Sequence, residues 1–469
     1  MIMIRTWIEP VVVGAQVAAS FYDTGLLMTV RNHYNKTTLS SNSSSEDALQ
    51  KSISNFYITY NVIMGLTPML SAYILAKLGE RISGKILICV PLAGYLVSRL
   101  FLLFVILWDW PIEVIFGSAA LNGLTGWFTT YWAGVMAWAS QSSSESRRSL
   151  RLIIIEMVYG LAGFVGSLVS GHIFIDLNLA KRQGVILACC STSCYALCVL
   201  YSIFILKMPD LTAINAEKIN CENEHIQENL NVPINSEYTE QSRLLDNELI
   251  GISTPRQLNG TPSKLILILL FMGAILLNVA SIGAEDVINV FVLKKPLSWG
   301  PVEVGYGYAA LYVTCITSFL GVLVFSKCFE DPGLIVIGIL SFSAGILIMA
   351  FVQWTYMYYV ARAVMMFSLI PTPTIRSMIS KHVEGSSYGK IFVVLQLGIE
   401  IVGVSSSAGF NKLYQATLDW YSGFCFIVFS SLGFVSIIPI IITACLQKSR
   451  MLHSRSCLNG ETAYGSTIN

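Results

Sequence analysis

Twelve apolar runs, each roughly 20 to 30 residues long, alternate with short polar segments along the chain. They cover 7–30, 53–76, 86–108, 112–139, 151–175, 185–207, 264–293, 303–326, 333–352, 356–380, 391–411 and 420–446. A helix of about 20 apolar residues spans the hydrocarbon core of a bilayer, so each run predicts one transmembrane helix. The one long polar segment, 208–263, divides them six and six. It is rich in Asn, Glu and Ser and cannot bury enough apolar surface to fold alone. The pattern therefore predicts an N-terminal six-helix bundle over 1–207 and a disordered cytosolic linker over 208–263. A second six-helix bundle follows over 264–446, then a cytosolic tail over 447–469. The first run contains Asp23 and lacks a clear cleavage site, so it is read as a span and not as a signal peptide.

Composition narrows the class. Hydrophobic residues make up 54% of the chain and charged residues 12%, which no soluble domain of 469 residues matches. The formal net charge of +1 gives no basis for nucleic-acid binding. Cys190, Cys194 and Cys198 repeat at helical spacing, but none of the eleven cysteines forms a zinc-spaced cluster with His, so no metal is expected. No nucleophile–base pair, phosphate-binding loop or cofactor box is visible, so neither an enzyme nor a bound cofactor is expected. With both termini placed in the cytosol, 19 of the 29 Lys and Arg lie inside, eight outside and two (Arg99, Arg362) within spans. That is the bias expected of loops that remain inside.

Polar residues inside the runs are the candidates for function, because ionisable groups at that depth are costly without a partner, a proton or water. Glu156 lies in the fifth run, past Arg147, Arg148 and Arg151. At about 100° per residue it shares a helix face with Gly160, Gly163, Ser167 and Gly171, a stripe that a second helix can approach closely. Asp23 in the first run and Arg99 in the third stand at similar depths, about 24 and 21 Å from the inner face by helical rise, which makes an ion pair plausible. Asn61, Asn122 and Asn278 are further polar groups in spans. In the tenth run Arg362 and Arg376 flank Pro371-Thr372-Pro373, a pair of prolines that predicts a bent helix. Glu285 and Asp286 fall near the outer end of the seventh run, where a wetted rim is expected. A faint repeat, Lys77-x-x-Glu80 after the second run and Lys327-x-x-Glu330 after the eighth, supports two related halves around a midplane cavity.

The segment Ala76-Lys77-Leu78-Gly79-Glu80-Arg81-Ile82-Ser83-Gly84-Lys85 resembles the loop signature of the major facilitator superfamily. It keeps the leucine, the acid, the arginine and the final lysine, so Glu80, Arg81 and Lys85 are read as a gating loop. RTWIEPVVVGAQVAASFYDTGLL, ISNFYITYN, ALNGL, VGYGYAA, TSFLGVLVFSKCF, TIRSMISK and GSSYGK resemble solute carrier family 46 over nearly all spans. The resemblance implies an all-α polytopic membrane protein of the major facilitator fold, with 12 transmembrane helices in two six-helix halves. It implies import of polar, often anionic solutes, with muropeptides and cyclic dinucleotides proposed within the family, and so a link to innate immunity. In the family's folate branch an acid matching Glu156 couples the proton and an arginine matching Arg376 is functionally important. A histidine used there matches Ser281 here, which argues against folate.

The combined reading is a proton-coupled importer working by alternating access, with protons, a small solute and the lipid bilayer as partners. Glu156 is the expected proton site, and Arg376, Arg99, Arg362, Asp23 and Asn122 are the expected solute-binding residues. The rival readings are a proton-independent exchanger and a non-transporting receptor or scaffold that keeps the fold. The expected address is the plasma membrane, with an endosomal fraction drawn by Glu240-x-x-x-Leu244-Leu245, an acidic dileucine pattern in the linker. Two glycosylation acceptors, Asn35-Lys36-Thr37 and Asn42-Ser43-Ser44, lie in the first loop, and a third, Asn259-Gly260-Thr261, in the linker. Asn35 and Asn42 are predicted to carry glycans and Asn259 none. A glycosidase-sensitive gel shift should vanish in the double variant Asn35→Gln, Asn42→Gln; one that persists would reverse the orientation.

Overall fold

A computed structural model describes residues 7–40, 46–81, 83–142, 148–176, 183–206, 264–381 and 388–465. The linker with Glu240, Leu244, Leu245 and Asn259 lies outside the described residues, as does Asn42. Among those described, every regular element is helical. The first half holds α1 (Glu9–Ser40), α2 (Glu46–Arg81), α3 (Ile86–Trp108), α4 (Val114–Leu124), α5 (Trp127–Gln141), α6 (Arg148–Asp176) and α7 (Val185–Phe204). The second holds α8 (Lys264–Phe291), α9 (Pro301–Phe325), α10 (Asp331–Ala350), α11 (Thr355–Val364), α12 (Pro371–Lys381), α13 (Tyr388–Thr417) and α14 (Phe424–Gly465). Among the described residues, nine helices are individually long and apolar enough to cross a bilayer. Two further passes are interrupted, α4 with α5 and α11 with α12. The last, α13, carries Glu400, Ser405–Ser407 and Asn411. Twelve passes result, six in each half.

The interruptions sit at equivalent places, the fourth pass of each half. In the first half Gly126 has φ 93° and Trp127 φ 44°, left-handed values that end α4 and start α5 at a new angle. In the second, a 3₁₀ turn at Met365–Phe367 separates α11 from the proline-led α12. Breaking a helix inside lipid leaves backbone groups without partners, and neighbouring hydroxyls supply them. Thr317 and Ser318 of α9 both donate to the Met366 carbonyl, at 2.7 and 2.9 Å. Ser341 of α10 donates to the Val364 carbonyl at 2.6 Å and accepts from the Phe367 amide at 3.2 Å. Prolines signalled the break in the tenth pass, but the one in the fourth rests on a single glycine.

The structure corrects several boundaries. The polar loop expected over 31–52 is largely helix, since α1 continues to Ser40 and α2 begins at Glu46, which puts exposed Asn35 on a helical extension. Lys77 and Glu80 occupy the last turn of α2, whereas Lys327 and Glu330 lie in the turn after α9, so this repeat is not in register. The helix of the last pass continues through the expected tail to Gly465.

Contacts joining the halves gather toward the end away from the termini. Along α2 and α13 they form a polar ladder. Gln50 donates to the Val290 carbonyl and to Tyr414, Ser54 to Asn411 at 3.2 Å, and Asn61 to Ser407 at 3.0 Å. Ion pairs Lys294–Asp47 (2.7 Å), Lys295–Glu46 (3.5 Å) and Lys51–Asp419 (3.8 Å) finish this end. The second seam is α6 on α9, and it uses the face predicted from glycine spacing. Gly160 meets Ile316, Gly163 the ring of Tyr312, Gly171 the backbone of Pro301 and Val302, and Gly305 of α9 the Ser167 carbonyl. Glu156 lies on this face, toward the end that carries the termini.

Close approach makes the seam intolerant of even one methyl group. An alanine Cβ at Gly171 would land on the backbone of α9, which cannot yield as a side chain can, whereas at Gly409 of α13 it meets nothing within 4 Å. Gly171→Ala is therefore expected to lower the unfolding midpoint of the detergent-purified protein, with overpacking costing about 1–3 kcal/mol. Gly409→Ala should leave it unchanged or raise it, since alanine is favoured over glycine in helices by about 1 kcal/mol. Equal effects at the two sites would count against the packing described.

Candidate functional site

The site begins on α1, held against α6 by the Thr24–Ser170 hydroxyl pair at 2.8 Å and against α7 by Ser191, which donates to the Ala18 carbonyl at 2.6 Å. Between these anchors Asp23 is exposed, although helices from both halves surround it. Tyr57 and Tyr60 of α2, Arg99 of α3, and Tyr308 and Tyr312 of α9 all lie within electrostatic range of its carboxylate. The exposure is therefore to an interior cavity. The ladder and the ion pairs close the end away from the termini.

Asp23 and Arg99 are neighbours but not an ion pair. The Arg99 guanidinium, 5% exposed, lies 3.9 Å from the Tyr22 ring centre and 4.8 Å from those of Tyr95 and Tyr195. Ring faces attract a desolvated cation strongly enough to compete with a carboxylate. The Nε and Nη1 of Arg99 have no hydrogen-bond partner in this cage. Matched depth predicted proximity, but not which way each side chain turns around its helix.

Arg362 is likewise engaged. It makes a two-pronged pair with Glu285 at 2.7 and 2.9 Å, and its Nε donates to the Tyr358 hydroxyl at 3.0 Å. Tyr358 in turn packs edge-on against Trp299, which lines a small cleft beside Leu27 near the closed end. This joins α8 to α11 within one half. The wetted rim expected at Glu285 and Asp286 is instead a set of partnered groups, for Asp286 faces Asn61 and Ser407 on the ladder. A two-pronged Arg–carboxylate pair satisfies both groups, and Arg362 and Glu285 line that cleft together with Tyr308.

Asn122 is 2% exposed, so in this conformation it does not line the cavity. It sits where α4 presses on α2, beside Gly123, whose carbonyl accepts from Ser71 at 3.0 Å. Glu156 is half-buried at the end of the α6–α9 seam nearer the termini, near Cys315, and its Oε2 has no hydrogen-bond partner. Just below, Arg151 pairs with Glu9 at 2.7 Å and ties α6 to the start of α1. Arg376 is exposed on α12, in electrostatic contact with Glu400 of α13. Of the expected gating loop, Lys85 donates to the Ile203 carbonyl at 2.6 Å, at the negative end of α7. The side chains of Glu80 and Arg81 lie outside the described residues.

The structure thus brings Asp23 and Arg99 to one interior space, leaves Glu156 on the α6–α9 seam near Cys315, sets Asn122 apart, and has Arg362 line a small cleft with Leu27 and Tyr308. The tyrosines of the interior space were not anticipated. Tyr57-x-x-Tyr60 and Tyr308-x-x-x-Tyr312 are spaced to place two rings on one helix face, which is the signal that could have found them. Tyr312 also receives a hydrogen bond from Gln16, so α1 and α9 touch directly at mid-depth. Among the described residues no three His, Cys, Asp or Glu side chains converge as a metal site would require.

Comparison with known proteins agrees with this architecture. No protein-family model matches the chain. It is 47% identical over 461 residues to solute carrier family 46 member 2 of the dog, covering 96% of this chain and 95% of that protein. It is 46% identical to the mouse protein of the same name, with 95% and 94% covered. The chicken lysosomal proton-coupled steroid conjugate and bile acid symporter SLC46A3 is 29% identical, with 85% and 84% covered. Among solved structures, the inward-open xylose transporter XylE from E. coli superposes with TM-score 0.61 at 12% identity, covering 92% of this chain and 94% of that one. The peptide transporter PepTSo gives TM-score 0.60 at 11% identity, with 95% and 99% covered. These two likenesses establish the major facilitator fold. The chain is a multi-pass membrane transporter, not an enzyme, and it belongs to solute carrier family 46.

Proposed function

We propose that this chain is a proton-coupled importer of polar, anionic small solutes of the muropeptide or cyclic-dinucleotide type, working by alternating access. The observation that carries the reading is Glu156, a half-buried carboxyl with one oxygen unpartnered, on a seam that must part when the transporter turns outward. A charge enclosed there is expensive, while a proton removes the charge and a wetted cavity relieves it. Opening and closing the seam therefore changes the affinity of Glu156 for protons, which is the linkage a symporter needs. Relatives named for proton-coupled symport of steroid conjugates and bile acids support both the coupling and an anionic solute.

In this reading Arg376, exposed on the inner half of the broken tenth pass, meets the anionic group of the solute. Arg99 contributes its field from within the tyrosine cage and makes no direct contact, and Arg362 holds the second half together. Both termini are cytosolic, with 1–207 and 264–446 as the rocking bundles, 208–263 as their cytosolic linker and 447–469 as the tail. Asn35 and Asn42 are glycosylated, and the protein works at the plasma membrane with a fraction in endosomes.

Glu156→Gln keeps the size and hydrogen-bonding capacity of the side chain and removes its titration. This variant is expected to reach the membrane and to exchange solute. It should lose the stimulation that an acidic exterior gives to uptake of a labelled muropeptide, measured per surface molecule at mildly acidic and neutral outside pH. An unchanged ratio between the two pH values removes Glu156 from the mechanism. Trans-stimulated uptake with no pH dependence in the parent protein would make it an exchanger.

A further inference from the structure

The cavity contains a charge that import of a simple anion leaves unexplained. Asp23 is exposed at mid-depth, yet among the described residues no side chain makes an ion pair or hydrogen bond with it. The nearest cation, Arg99, is enclosed by Tyr22, Tyr95 and Tyr195 and makes no contact with the carboxylate. A purely anionic solute at this depth would meet a like charge first. The neighbouring walls are aromatic on both sides, Tyr57 and Tyr60 from the first half, Tyr308 and Tyr312 from the second, all half-buried. Phe56 stacks on Tyr60 and Tyr159 packs edge-on against Tyr312, so both ring pairs are supported from behind. Tyr312 is fixed further by Gln16 on one side and Gly163 on the other.

We propose that Asp23 anchors an organic ammonium group of the transported solute in a tyrosine-walled subsite between α1, α2 and α9. The reading deepens the function proposed above, because it makes the solute dipolar, with an ammonium group at Asp23 and an anionic group toward Arg376. An ammonium ion donates hydrogen bonds to the carboxylate while its alkyl substituents lie against ring faces, which attract cations. A hard inorganic cation needs several oxygen ligands, usually six or more for calcium, and among the described residues no three acid, His or Cys side chains converge. The subsite draws on both halves and sits beside the Gln16–Tyr312 contact, so a bound ammonium group bridges surfaces that separate when the cavity changes sides.

The test uses the full-length purified protein and three probes of one shape, 2-phenylethylammonium, 2-phenylethanol and 3-phenylpropionate, read by thermal unfolding. The alcohol controls for partitioning into detergent. Only the ammonium probe is expected to give a saturable rise in the unfolding midpoint. Asp23→Asn should weaken its half-saturation by about tenfold or more, as loss of a charge-assisted hydrogen bond implies, while Asp23→Glu stays close to the parent. Tyr60→Leu, which keeps the carboxylate and removes one ring, should weaken it by a smaller factor, and it serves if Asp23→Asn fails to fold. The proposal is overturned if 3-phenylpropionate stabilises as well as the ammonium probe, if sodium chloride at equal ionic strength reproduces the effect, if Asp23→Asn retains it, or if the parent shows no saturable response. The assay needs no gradient. Its failure leaves the pH-dependent uptake of Glu156→Gln to be judged by itself, and a positive carboxylate result would restore the simple anion.

Discussion

Lipid offers no hydrogen bonds, and that lack decides how this chain is built. Every backbone group and every charge between the two faces must find a partner inside the protein or reach water in its cavity. Helices meet the demand for ten of the twelve passes. Where the fourth pass of the second half breaks, Thr317, Ser318 and Ser341 restore what the helix gives up. Charges obey the same rule by different routes. Arg362 takes a carboxylate, Arg99 takes three aromatic faces and Asp23 is left exposed.

What remains unsatisfied is therefore informative. Most buried polar side chains here have partners, and the exceptions near the cavity include one oxygen of Glu156 and two nitrogens of Arg99. Glu156 stands at the edge of a seam and Arg99 behind the cavity wall. Of these two, Glu156 lies where α6 and α9, from opposite halves, meet. Arg99 moves with Tyr22, Tyr95 and Tyr195, all in its own half, and so keeps its cage through the cycle.

The sequence was most legible where the lipid constraint acts alone. The passes and their six-and-six division follow from apolar length, and the α6 face from the spacing of Gly160, Gly163, Ser167 and Gly171. Side-chain direction was not legible. Tyr22 and Asp23 are adjacent, but successive residues point about 100° apart, so one caps Arg99 while the other faces the cavity. Glu285 and Arg362 are 77 residues apart, and nothing local to either announces the pair. The break at Gly126 was hidden because an isolated glycine in an apolar run is common, whereas Pro371 and Pro373 admit few other readings. The tyrosine pairs carry little signal of their own because aromatic residues in spans are ordinarily packing.

The polar ladder on α2 has a kinetic meaning. Its rungs, at Gln50, Ser54 and Asn61, run down one helix face from the end away from the termini toward the middle of the molecule. Each rung is an ordinary hydrogen bond, of net worth near 1 kcal/mol, and water entering from that end can replace each as it breaks. Separation can thus proceed from the rim inward in small, reversible steps, none requiring the whole interface to come apart at once. A greasy interface of the same length would have to expose all its apolar surface before water rewarded any of it. The ladder divides the barrier to opening this end among its rungs.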